Sequence, residues 1–287
     1  MSKRYNMPSL KITVGIPHYM RRKLLLKTLK SLYKNVKVPY RVIIVNDGGP
    51  PLICDDSNVT IINRRERGGL GAARQQIIEL VDTEYLFLLD DDIIVLPNSL
   101  ELLVESLETH PELAAVSGIL FSNFKLSEAA NFVFTGKMVK KRQFDIFTIF
   151  ALAKDNLFFA HSIPVSLTLF RTNLIKNLKF DPEYKWGYEH WDFFMQMYFA
   201  NLKCAVNTKS IFIHLYHQSP RQYKEERFDR RILEASRAHF ISKWGYIPVD
   251  ETATRKDVLS KIVRCFTNKS VLRIYAKVLC NLPPYLL

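Results

Sequence analysis

The stretch Leu86–Val95, LFLLDDDIIV, constrains this chain more than any other. Four apolar residues run into Asp90, Asp91 and Asp92, and apolar residues resume at Ile93. An apolar run of strand length reads as a buried, parallel strand. Ionised carboxylates are too costly to bury unpaired. The three aspartates are therefore expected at a crevice on the carboxyl edge of a sheet, with a bound cation as neutraliser. Carboxylate oxygens suit hard ions such as Mg²⁺ or Mn²⁺. Alternate residues of an extended chain point the same way, so Asp90 and Asp92 are expected to share one side. A solvated acidic turn is the competing reading of the triplet taken alone.

The flanking sequence supplies the sheet. Lys11–Ile16 (KITVGI) reads as a strand ended by Pro17. A helix follows, with Leu25, Leu29, Leu32 and Val36 at helical spacing and lysines opposite. YRVIIVNDGG is a second strand ending in Asp47-Gly48-Gly49, and VTIINR a third from Val59. RRERGGLGAARQQIIELV is a glycine-rich loop feeding a helix. This alternation predicts an α/β fold with a mostly parallel, doubly wound sheet flanked by helices. Ligands bind at the carboxyl ends of strands in such folds, which gathers Asp47, the glycine loop and the aspartates on one edge. Gly68, Gly69 and Gly71 let backbone approach a ligand closely. The helix N-terminus behind them favours phosphate, although the spacing is neither a dinucleotide fingerprint nor a P-loop. Arg64, Arg65, Arg67 and Arg74 favour a diphosphate over a merely flexible loop, with Arg74 on the helix itself.

A formal net charge of +13 over 287 residues favours anionic partners. No zinc-finger, P-loop or RNA-recognition signature accompanies it, so nucleic acid is not expected. Cys54, Cys204, Cys265 and Cys280 have no metal-type spacing and read as free thiols in a reducing compartment. The sequence MSKRYNMPSL lacks a signal-peptide apolar region, and no apolar run reaches membrane-spanning length. The expected location is cytoplasmic, with the inner face of the membrane as a second address.

Further along, Leu100–Thr109 reads as an amphipathic helix, and AAVSGILF and IPVSLTLF as strands. Ser122–Ala160 is the least legible stretch and is expected to be a substrate loop. WGYEHWDFF holds Glu189, His190 and Asp192 ahead of an apolar helical run. Acids at a helix N-terminus are favoured as caps; they can also act as a general base, and His190 titrates near neutrality. SIFIHLYH is a strand carrying His214 and His217. Residues 1–220 are expected to form the catalytic domain and 221–287 a basic helical extension packed on it. From Arg255 to Lys277 seven basic residues face one acid, Asp257. Such a helix can pack on the domain or lie on an anionic membrane.

GIPHYMRR, VIIVNDGG, NRRERGGLGAAR and FLLDDD, in that order, resemble the successive motifs of a family 2-type glycosyltransferase with the nucleotide-sugar-binding GT-A fold. The resemblance covers Lys11 to Gln218. It implies that Pro17 and Tyr19 lie near the nucleobase and that Asp47 contacts the uracil or ribose end. It also implies that Arg74, Asp90 and Asp91 serve the nucleotide sugar, and that Asp90 and Asp92 hold Mn²⁺ or Mg²⁺. A late histidine often completes such a metal site; His214 matches best and His217 is the alternative. The EHWDFF block resembles the segment that supplies the base in inverting GT-A enzymes, and is similar to ganglioside-synthase-type N-acetylgalactosaminyltransferases. His190 stands where many relatives have aspartate. Asp192 is the first candidate for the base and Glu189 the second. The resemblance thus implies inverting, metal-dependent transfer from a nucleotide sugar, a UDP-sugar first, to a hydroxyl of a glycan or lipid-linked acceptor. A nucleotidyltransferase would also use paired aspartates on a metal but would not need the EHWD block. A non-catalytic basic protein on a degenerate scaffold would not need the acidic triad, whose members repel one another without a cation.

Overall fold

The structure is a computed structural model that describes residues 10–250 except 123–124, 127–128 and 216–218. The basic segment 255–277, His217, Cys265 and Cys280 lie outside the described residues.

The chain opens with β1 (Ile12–His18), α1 (Arg22–Asn35), β2 (Tyr40–Asn46), β3 (Val59–Asn63), α2 (Leu70–Leu80) and β4 (Tyr85–Leu89). After the aspartates come β5 (Ile93–Val95), α3 (Ser99–Thr109), β6 (Leu113–Ser122) and β7 (Lys125–Leu126). The stretch expected to be a substrate loop instead holds ordered elements: a hairpin of β8 (Ala129–Thr135) and β9 (Met138–Phe144), then α4 (Ile146–Leu152) and β10 (Leu157–Ala160). β11 (Leu167–Arg171), α5 (Thr172–Ile175), α6 (Glu189–Phe199) and β12 (Lys203–His214) follow. The described chain ends in α7 (Arg221–Arg227), α8 (Arg230–Trp244) and β13 (Ile247–Asp250).

The central sheet runs β10-β12-β6-β11-β4-β1-β2-β3. The β1, β2, β3 and β4 neighbours pair in parallel, as do β6 and β12, while β11 and β10 run against their neighbours. Strand alternation divides the core. Leu86 and Leu88 of β4 face one layer with Ile77 of α2 and Phe193 of α6. Tyr85, Phe87 and Leu89 face the other, with Leu25 of α1 and Leu103 of α3. Apolar burial on both faces holds β4 rigidly, at about 1.5–3 kcal/mol for each large side chain, so the acidic turn leaves a fixed strand.

β1 runs two residues beyond the expected stop, with Pro17 opposite Val45. Its pairing with β4 spans only Ile12 to Gly15, so no ladder partner lies on that side of Pro17. Proline is tolerated where its missing N–H has nothing to bond. At the C-terminal end, β13 pairs in parallel with β9 to complete a three-stranded sheet. Residues after 220 thus add a strand as well as two helices. No described helix is long and apolar enough to cross a membrane.

β12 carries His214 to the site. Its register against β6 shifts between Val206 and Ile211, where Gly118 of β6 meets it. A Cβ on Gly118 would stand 2.6 Å from the Ser210 carbonyl oxygen and 2.6 Å from the Phe212 ring. Gly118→Ala should therefore lower stability by about 1–3 kcal/mol, as overpacked interiors do. Chemical denaturation at neutral pH measures this, and unchanged stability would mean that β12 does not depend on that close approach.

Candidate active site

The site forms where β1, β2 and β4 end. The chain leaves β4 through a tight turn in which the Ile93 amide donates to the Asp90 carbonyl at 3.3 Å. A turn abolishes strand alternation, which corrects the expectation that Asp90 and Asp92 share one side. Asp90 instead accepts from the Arg74 guanidinium at 2.9 Å. Asp91 and Asp92 share Arg21, which pairs with Asp91 through Nη2 and with Asp92 through Nη1. All three of these groups are buried, Arg21 being 6% exposed.

The cation expected from the sequence is thus matched by two guanidiniums held within the chain. Arg21 was absent from the candidates read from sequence. Its only signal was its place just beyond β1, at the start of α1, next to the carboxyl edge. His18 Nδ1 lies 2.6 Å from Asp91 Oδ2, and His214 Nε2 lies 3.2 Å from Asp92 Oδ2. Burial pushes the Asp91 carboxyl above the usual range despite Arg21 and His18. Burial also opposes ionisation of Asp92, but the His214 hydrogen bond and the Arg21 charge outweigh it and hold Asp92 low.

The cluster retains a coordinating oxygen. Asp92 Oδ1 is buried and has no hydrogen-bond partner. An oxygen left without a donor beside an imidazole fits a divalent ion of the Mg²⁺ or Mn²⁺ type. Among the described residues, no group of three or more acidic, histidine or cysteine side chains already converges on such an ion.

β2 delivers Asp47 to the same edge. Its carboxylate accepts from the Gly68 and Gly69 amides, each at 2.8 Å, and pairs with Arg64 at 3.3 Å. The glycine loop is thereby tied to the β2 end. Gly48 turns the chain with φ +77°, and a Cβ there would stand 2.7 Å from the Arg67 amide nitrogen. Only glycine accommodates both that conformation and that approach. Pro17, Tyr19, Asp47, Arg67, Trp186 and Tyr223 line one narrow cleft. Arg67 lies over the Tyr19 ring at 4.3 Å and over the Trp186 ring at 5.3 Å. Trp186 and Tyr223 were not among the residues singled out from sequence.

α6 brings the acidic block to the other side of Arg74. Glu189 Oε1 stands 3.5 Å from Arg74 Nη1 and 3.5 Å from His190 Nδ1, while its buried Oε2 has no hydrogen-bond partner. Burial alone would raise Glu189, but the His190 hydrogen bond and charge and the Arg74 charge overcome it, bringing the carboxyl down to about 2. Asp192, the first candidate from sequence, is fully buried among other partners. It accepts from Trp244 Nε1 at 2.7 Å, Lys243 Nζ at 3.0 Å and Gln196 Nε2 at 2.8 Å. The structure therefore brings together Asp90, Arg74 and Glu189 in one chain of contacts, and ties Asp192 to α8. His190 is half-buried at the α6 start.

A mostly parallel sheet with its acidic turn at the carboxyl edge is the architecture of the GT-A glycosyltransferases. The chain superposes on the crystal structure of GalNAc-T7 with UDP, GalNAc and Mn²⁺ at a TM-score of 0.58 and 15% identity, over 71% of this chain and 44% of that one. At that identity the likeness is one of fold. The chain belongs to glycosyl transferase family 2, whose family model matches residues 13–159. It is 29% identical over 105 residues to the uncharacterized glycosyltransferase YwdF of Bacillus subtilis (strain 168), a match spanning 35% of this chain and 39% of that protein. It is 28% identical over 105 residues to glycosyltransferase GlyG of Streptococcus pneumoniae serotype 4, spanning 34% and 35%. Both matches thus cover well under half of those relatives' own lengths.

The Glu189 environment has a pH signature. Its folded-state value, about 2, lies below the ordinary 4.5. The stability it contributes is therefore complete above about pH 4.5 and is lost as pH falls towards 2. Glu189→Gln should remove up to about 3 kcal/mol of that acid dependence. Asp181, also held at about 2 against its burial by His239 and Lys243, acts alike in both proteins. Denaturant titrations between pH 2 and 6 measure the difference; parallel curves for the two proteins would contradict the assignment.

Proposed function

We propose that the protein is an inverting, metal-dependent glycosyltransferase that moves a sugar from a nucleotide sugar, a UDP-sugar first, to a hydroxyl of a glycan or lipid-linked acceptor. Family membership supports the class of reaction. The observation that carries the reading is the single guanidinium of Arg74, which holds Asp90 of the acidic turn and Glu189 of α6 together. In this reading one buried arginine joins the donor side of the crevice to the acceptor side.

Asp92 and His214 would hold the divalent ion, whose chemistry is to neutralise the departing nucleoside diphosphate. The chain's own groups do the rest. Asp47 fixes the glycine loop through two amides, which presents Arg67 and Tyr19 to the nucleoside diphosphate. His190 and Arg74 together keep Glu189 in place and ionised. The unpartnered Glu189 oxygen accepts the acceptor hydroxyl proton. The acceptor oxygen bonds the anomeric carbon from the face opposite the diphosphate, and the bond to the diphosphate oxygen breaks. A carboxylate held at about 2 is ionised throughout the physiological range. It is a weaker base than a group tuned near 7, which suits late proton transfer, after the new bond has begun to form. We assign Asp192 to holding α6 on α8, and His190 to the acceptor entrance.

A transfer assay against a panel of nucleotide sugars, with Mn²⁺ and with EDTA, tests this reading. Glu189→Gln should lose about 10²–10⁴-fold in turnover while binding UDP as wild type does. Asp192→Asn should keep most of its turnover and lose thermal stability. Near-normal turnover of Glu189→Gln beside an inactive, well-folded Asp192→Asn would reverse the two roles. Equal UDP affinity in Mn²⁺ and in EDTA would remove the metal from the proposal.

A further inference from the structure

The cleft lined by Pro17, Tyr19, Asp47 and Arg67 has only about 20 Å³ of free space. Sites for ligands of this size enclose some 300–1,000 Å³. Ser219 and, on α7, Tyr223 take up the space. Ser219 accepts from Arg21 at 3.4 Å. The Tyr223 ring lies 4.3 Å from the Arg21 guanidinium and is buried to 4% exposure. Arg227 stands over the Trp186 ring at 5.9 Å.

Two adjacent acids on α7 behave differently. Glu225 faces water, where it pairs with Arg221 one turn earlier at 2.7 Å. Glu226 turns inward and pairs with Arg67, and it also accepts a hydrogen bond from the Tyr19 hydroxyl. A carboxylate thus occupies a guanidinium and a phenol at the mouth of a cleft rich in arginine. Planar guanidinium forks bind carboxylate and phosphate oxygens by the same geometry.

We infer that Glu226 is an internal anion that holds Arg67 and Tyr19 in place of the donor's negatively charged groups, and that Arg67 exchanges Glu226 for the nucleoside diphosphate when α7 lifts. This rests on the nucleotide-sugar reading above. An anion that binds the same guanidinium must be displaced first, which lowers the apparent affinity by the fraction of molecules already open. The inward pair would keep the cationic cleft neutral and shut against other anions until a ligand supplies both a diphosphate and a base.

The experiment is calorimetric titration of UDP into the full chain in Mn²⁺, using wild type, Glu226→Gln, Arg67→Gln and the double variant, with thermal unfolding of each as a check of folding. Glu226→Gln should bind UDP about 5- to 10-fold tighter than wild type, the range expected for releasing one partly buried ion pair. Arg67→Gln should bind about tenfold weaker, and adding Glu226→Gln to it should bring no gain. Glu226→Ala repeats the test if the glutamine variant does not fold. UDP binding by wild type with no gain in Glu226→Gln, or an equal gain in the Arg67→Gln background, overturns the role of Glu226 and leaves the donor reading standing. Failure of every variant to bind UDP or any other nucleoside diphosphate overturns the donor reading itself.

Discussion

The fold at this edge depends on Arg21. Three adjacent aspartates end a fully buried strand, and two of them, Asp91 and Asp92, are as buried as the strand. Carboxylates this close repel one another, and burial removes the water that would screen them. Arg21 spans both, and its planar fork meets two acceptors at once. Removing one partner from such a buried cluster is much worse than removing all of it, because an uncompensated charge remains. The β1 end, the start of α1 and the acidic turn are therefore fixed against one another before any ligand arrives.

Arg74 repeats the device one step away. It lies on α2, buried, with Asp90 on one side and Glu189 on the other. Between them the two arginines hold Asp90, Asp91, Asp92 and Glu189 in place. They also leave two carboxylate oxygens, Asp92 Oδ1 and Glu189 Oε2, buried without partners. Unsatisfied buried acceptors cost roughly 1–3 kcal/mol each, and sites built for charged ligands are where such costs are tolerated. The helix α7 closes over this arrangement with its own tyrosine and glutamate.

Much of this was legible in the sequence, and the reasons are local. The apolar run before Asp90 could only be a buried strand, and the alternation of strands and helices placed Asp47, the glycine loop and the aspartates on one edge. Those are statements about period and burial, which sequence carries well. Pairing across the fold is not local. Nothing near Arg21 in sequence reveals that it meets residues about 70 positions away. Strand alternation does not carry into the turn after β4, so Asp90 pairs with Arg74 while Asp92 pairs with Arg21. Asp192 and Glu189 lie three apart on one helix and look equivalent in sequence; only α8, some fifty residues later, supplies the Trp244 and Lys243 that occupy Asp192. The hairpin of β8 and β9 was illegible because the β8 aromatics Phe132 and Phe134 pack against Trp191, Tyr198 and Phe199 of α6, while Phe144 of β9 packs on Phe158 of β10.

The most direct test of the arginine-held edge is the stability of Arg21→Met, a substitution that keeps much of the side-chain volume and removes the charge. Urea denaturation at pH 7 without divalent ions should show a loss of about 3–5 kcal/mol, part of it restored by millimolar Mg²⁺ or Mn²⁺ if Asp92 can take an ion in place of the guanidinium. A variant as stable as wild type under both conditions would mean that Asp91 and Asp92 do not need Arg21, and that the acidic edge is held by something else.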